Sequence, residues 1–254
     1  MSDFPRISEA LARYGMGDQA VAVAWLSFDD PDSMIAAQDP GGKVSPLIGF
    51  SPLPMRGADL LAAVGAIDEN GPRLLANYAR AFPELSAAVG AFDAGVGAME
   101  SSAPGWLFAA SSLVIGMDEV DVAAALAPDP DAVEVDTFVT PGTGHYYLES
   151  ARLLRSIMSY RIAGVERHVL GRSVFVSLGN FVGTAMVRLL KDWQPRAIVC
   201  AGDLFVQNRI LRDQTRSALA TVRVPTYFPS PDDPENSLVA EEELLSIRVG
   251  PRPD

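Results

Sequence analysis

The stretch from Ala197 to Tyr227 does most to narrow what this chain can fold into. An apolar run over Ala197–Cys200 leads to a turn at Gly202. Amphipathic helix spacing follows over Asn208–Leu219, and a second strand is expected over Thr221–Tyr227. Strand, helix and strand in so short a span imply parallel pairing through a right-handed crossover. The class expected is therefore α/β.

Upstream, Ile7, Ala10, Leu11 and Tyr14 have helical spacing that stops at Gly15, a glycine suited to a helix end. Ala20–Phe28 reads as a buried strand, and Asp29–Pro54 as hairpin and loop with a strand near Leu47–Phe50. Two or three helices are expected over Asp59–Met99, broken at Asn70-Gly71-Pro72 and Phe82-Pro83, where proline interrupts helical hydrogen bonding. Pro104–Ile115 predicts a helix capped by Ser101 or Ser102, and Asp118–Leu126 another. Val133–Thr140 reads as a strand. Tyr146–Tyr160 and Arg172–Leu190 are the clearest amphipathic helices, with Pro141-Gly142-Thr143-Gly144-His145 as the loop into the first. A short acidic helix is expected at Glu241–Leu245. No repeat or long linker divides the chain, so residues 1–254 are taken as one domain. Its parts are a strand and hairpin part (1–58), a helical part (59–190), a strand-helix-strand end (191–240) and an acidic tail (241–254).

Composition limits function. Nearly half the residues are apolar and a fifth are charged, as in ordinary globular chains. The net charge is -12 and the only lysines are Lys43 and Lys191, which argues against nucleic acid as a partner. The single cysteine, Cys200, excludes an internal disulfide, and two histidines, His145 and His168, are too few for a metal site without carboxylates. No uninterrupted apolar run of about 18 residues marks a membrane span. The opening residues lack signal-peptide character, so the expected location is the cytoplasm. Cys200 reads as a small apolar strand residue, and Asp29, Asp30 and Asp32 as solvated turn formers.

A resemblance adds to this. Ala201-Gly202-Asp203-Leu204-Phe205-Val206-Gln207-Asn208-Arg209-Ile210-Leu211 resembles the Ser-Gly-Gly-Val-Phe-Gln-Asn-Arg-Leu-Leu signature of the HypF-type carbamoyltransferases of hydrogenase maturation. Ser101-Ser102-Ala103-Pro104-Gly105-Trp106-Leu107-Phe108 is similar to that family's Ser-Ser-Met-Gly-Arg-Leu-Phe-Asp. Glu119-Val120-Asp121-Val122-Ala123 sits where it has Glu-Gly-Gln-Ala-Ala, and Ser51-Pro52-Leu53-Pro54 resembles its Pro-Phe-Pro-Leu-Pro loop. The matches keep the family's order over nearly the whole chain. They imply a single lobe of the actin-like ATPase (ASKHA) fold, a mixed sheet flanked by helices.

Against that pattern the chemistry is depleted. Phe4-Pro5-Arg6-Ile7 stands where the family reads His-Ala-His-Ile, and neither phenylalanine nor a protonated arginine ligates a metal. For the family's later metal-binding aspartate, Asn236 is the best match, with Asp232 and Asp233 as alternatives. The Asp-Gly-Thr-Gly phosphate turn becomes Leu26-Ser27-Phe28-Asp29-Asp30, trading glycines for carboxylates that repel polyphosphate. Trp106 and Ala109 replace an arginine and an aspartate, and Val176 replaces a histidine. The residues left as nucleotide-site remnants are Gly202, Asn208 and Glu119, although Asn208 at a helix start reads first as a cap. No catalytic residue and no cofactor are expected.

Three roles are compatible with this sequence. One is a non-catalytic accessory or scaffold protein of [NiFe]-hydrogenase maturation, binding a maturation factor or hydrogenase subunit and able to form a homodimer. Another is a divergent transferase using ATP and a carbamoyl donor with a partner chain, through Glu119, Gly202, Asn208 and Asp233. The third is a module for an unrelated small ligand, using Trp106, His145 or Cys200. A retained pocket beside Gly202 would favour the third.

Overall fold

A computed structural model describes residues 4–95, 99–118, 120, 124, 131–230 and 238–240. Helix α1 (Pro5–Arg13) starts on a proline, whose missing N–H costs nothing in a first turn, and ends before Gly15 at φ +69°. Strands β1 (Val21–Trp25), β2 (Met34–Gln38), β3 (Val44–Phe50) and β4 (Leu53–Pro54) follow. Helices α2 (Gly57–Gly65), α3 (Gly71–Ala81) and α4 (Pro83–Ala91) break at the two expected prolines. After β5 (Glu100–Ser101) comes α5 (Pro104–Ile115), then the hairpin β6 (Val139–Pro141) and β7 (Tyr146–Leu148). Helices α6 (Ser150–Ile162) and α7 (Arg167–Asp192) lead to β8 (Ala197–Ala201), α8 (Asp203–Gln207), α9 (Arg209–Leu219), β9 (Thr226–Pro229) and β10 (Leu238–Ala240).

The chain forms two compact units: residues 1–27, 33–48 and 179–254, and residues 28–32 and 49–178. In the first unit the strands lie in the order β10-β9-β8-β1-β2-β3. The sheet is mixed: β1 runs antiparallel to β2 and parallel to β8, while β9 is parallel to β8 and antiparallel to β10. On one face Val21 and Val23 meet Met34, Ala36, Val199 and Ala201 under Ile7 and Leu11 of α1. On the other, Ala22, Ala24, Ile198 and Cys200 are also fully buried, so β1 and β8 read as continuous apolar runs. The second half of α7 approaches α9 closely through Gly179 and Gly183. A Cβ at Gly183 would lie 2.4 Å from that of Ala218, and one at Gly179 would lie 2.7 Å from the Leu211 carbonyl oxygen.

The second unit is mainly helical. The Tyr78 hydroxyl donates to the Val114 carbonyl at 2.6 Å, tying α3 to α5. Phe108 packs between Phe28 and Phe175, with ring centres 5.7 and 4.8 Å away. Leu153, Leu154, Ile157 and Met158 bury one face of α6.

Several expectations change. Pro141–His145 is a hairpin turn rather than a helix entry: the Gly142 N–H donates to the His145 carbonyl at 2.8 Å, and α6 begins only at Ser150. The strand expected over Val133–Thr140 forms only from Val139, because the Val133 and Val135 N–H groups donate to the Ser173 and Ser177 hydroxyls. Strand β2 falls within the hairpin and loop expected over Asp29–Pro54, with the turn into β3 closed by the Asp39 N–H donating to the Lys43 carbonyl, whereas β10 is not among the strands expected from the sequence. Neither Ser101 nor Ser102 caps α5; Ser101 accepts from the Ala103 N–H and Ser102 donates to the Pro31 carbonyl. Asp30 is a turn former but not solvated: it is buried, and its carboxylate accepts from the Asp32 N–H at 3.1 Å. Helix α7 is long and apolar enough to cross a membrane, although no uninterrupted apolar run marks it. Leu170, Val174, Leu178, Val182 and Met186 recur every fourth residue and are fully buried, the pattern of a core helix. The helices expected at Asp118–Leu126 and Glu241–Leu245 lie mostly or wholly outside the described residues.

Candidate functional site

Because β1 and β8 are parallel neighbours with Trp25 opposite Ala201, their carboxyl ends finish together in the first unit. In open α/β sheets that edge is where ligands bind. Two backbone bonds lock the turns that follow: Leu26 N–H donates to the Ala201 carbonyl at 2.9 Å, and Leu204 N–H to the Leu26 carbonyl at 3.2 Å. Gly202 sits between them at φ +100°, ψ 162°, a region essentially reserved for glycine. A Cβ there would lie 2.1 Å from the Leu26 oxygen. Crossing of the two backbones is therefore reason enough for a glycine at this position.

Beside this turn opens a cleft of about 450 Å³. Helix α1 contributes Ala10, Arg13 and Tyr14; the end of β1 contributes Trp25 and Ser27; the rest is Gly202, Asp203, Val206 and Gln207. Tyr14 and Trp25 are half-buried against the core cluster, while Arg13 and Gln207 are exposed. Ser27 is held by Ser33, whose hydroxyl accepts from the Ser27 N–H and donates to its carbonyl, both at 3.0 Å.

Of the sequence-derived remnants, Gly202 lines the cleft. Asn208 lies just beyond α8, buried, with Oδ1 accepting from the Leu211 N–H at 2.9 Å. This is the helix-cap geometry its position predicted. Glu119, Asp232, Asp233 and Asn236 lie outside the described residues.

The donor set does not fit the metal that the family resemblance implies. Phe4 packs on the core and Arg6 is exposed on α1, where the histidines would stand. Among the described residues no three His, Cys, Asp or Glu side chains gather as a ligand group. At the Gly202 turn the Leu204 amide donates to the Leu26 carbonyl, and Asp203 lines the cleft.

Trp106, His145 and Cys200 do not line this cleft. In the second unit the Trp106 indole donates to the Pro54 carbonyl at 3.2 Å and stacks on Phe92. His145 packs against Tyr147, ring centres 4.4 Å apart. Cys200 is fully buried in β8. Arg13, Tyr14, Trp25 and Gln207 were missed as site residues. Their one sequence signal was adjacency to strand and turn ends, and it did not distinguish them from core and surface positions.

No family model and no curated protein matches the chain. Solved structures do. Full-length HypF, crystallised in its phosphate- and nucleotide-bound form, aligns with a TM-score of 0.60 at 15% identity, covering 87% of this chain and 32% of that one. HypF of T. kodakarensis aligns with a TM-score of 0.62 at 12% identity, covering 91% and 34%. The chain thus spans about a third of the length of these proteins. The likeness establishes the fold: an α/β arrangement with a mixed, helix-flanked sheet, similar to part of HypF.

Proposed function

We propose that this chain is a non-catalytic accessory or scaffold protein related to the carbamoyltransferases of [NiFe]-hydrogenase maturation, acting through protein–protein contacts. The observation that carries the reading is the turn at Gly202. Its Leu204 amide is committed to the Leu26 carbonyl, and an acidic side chain, Asp203, flanks it. A HypF-like fold in which the Leu204 amide is already bonded to Leu26, with no imidazole at Phe4 or Arg6, supports an assembly role rather than ATP-dependent transfer. The partner is a hydrogenase maturation factor or hydrogenase subunit, with self-association as a further contact.

Affinity purification of the tagged chain from its native cells, followed by mass spectrometry, tests this. Stoichiometric recovery of such a partner is expected, with no heat of binding for ATP, AMP or a carbamoyl-adenylate analogue in the reconstituted complex. Carbamoyl transfer by that complex, lost on substitution within this chain, would instead establish the divergent-transferase reading.

A further inference from the structure

We draw no further inference here: the strongest candidate, the surface patch at the β6–β7 hairpin of the second unit, where Phe138 and Tyr146 are exposed, carries nothing because nothing in the structure shows what covers it.

Discussion

Gly202→Ala puts the reading of the Gly202 turn at greatest risk. At φ +100°, ψ 162° an alanine carries about 1–3 kcal/mol of backbone strain. Its Cβ would sit 2.1 Å from the Leu26 oxygen and 2.6 Å from the Leu26 carbonyl carbon. These obstacles are backbone atoms, so no rotamer change relieves the overlap and the two turns must separate. Separation sacrifices the bonds Leu26 N–H to Ala201 O and Leu204 N–H to Leu26 O, at about 1 kcal/mol each. The sum is roughly 3–5 kcal/mol, a large share of the roughly 5–15 kcal/mol by which domains are stable. Gly15→Ala is the control: φ is +69° there, but nothing lies within 4 Å of the added carbon, so only about 1–2 kcal/mol of left-handed strain applies. Urea unfolding followed by circular dichroism, with hydrogen exchange at the Leu26 and Leu204 amides, measures both. A Gly202→Ala loss below about 1 kcal/mol, or one no larger than that of Gly15→Ala, would refute the close-approach argument.

Other substitutions probe the same packing. Asn208→Ala should cost about 1 kcal/mol by uncapping α9 and should speed exchange of the Leu211 amide, whereas Asn208→Ser should retain most of the stability. Gly183→Ala should lower the thermal midpoint despite alanine's better helix propensity, because overpacking against Ala218 costs about 1–3 kcal/mol. Burial pushes the Tyr78 phenol well above its ordinary value of 10.0, an effect only partly offset by Arg161. Its contribution is therefore complete below about pH 10 and declines as pH rises further, once the unfolded chain can ionise. Tyr78→Phe should cost about 1–2 kcal/mol at neutral pH, by stranding the Val114 carbonyl, and should flatten the alkaline decline. Urea midpoints of both forms at about pH 8 and about pH 11 check this.

Local signals were readable where local chemistry decides. The prolines at 72, 83 and 104 each lie in the first turn of a helix, as their missing amide requires. The parallel pairing of β8 and β9 followed from a crossover of helical length. Sequence reasoning failed where a distant group captured the backbone. Ser173 and Ser177 take the amides that would have made a strand of Val133–Val135, and no nearby residue announces it. A hairpin was legible over Asp29–Pro54, but the bounds of β2 were not, because Met34-Ile35-Ala36-Ala37 lacks alternation; pairing with β1 sets them.

For the site, residue types alone were enough to show that Phe4 and Arg6 offer no imidazole, and the place of Asn208 at a helix start was enough to predict its cap. Both are matters of side-chain chemistry and short-range geometry. Why position 202 must be glycine, and that Arg13, Tyr14, Trp25 and Asp203 share one cleft, became visible only in the fold. Those residues come from segments far apart in the chain, and only the pairing of β1 with β8 brings them together.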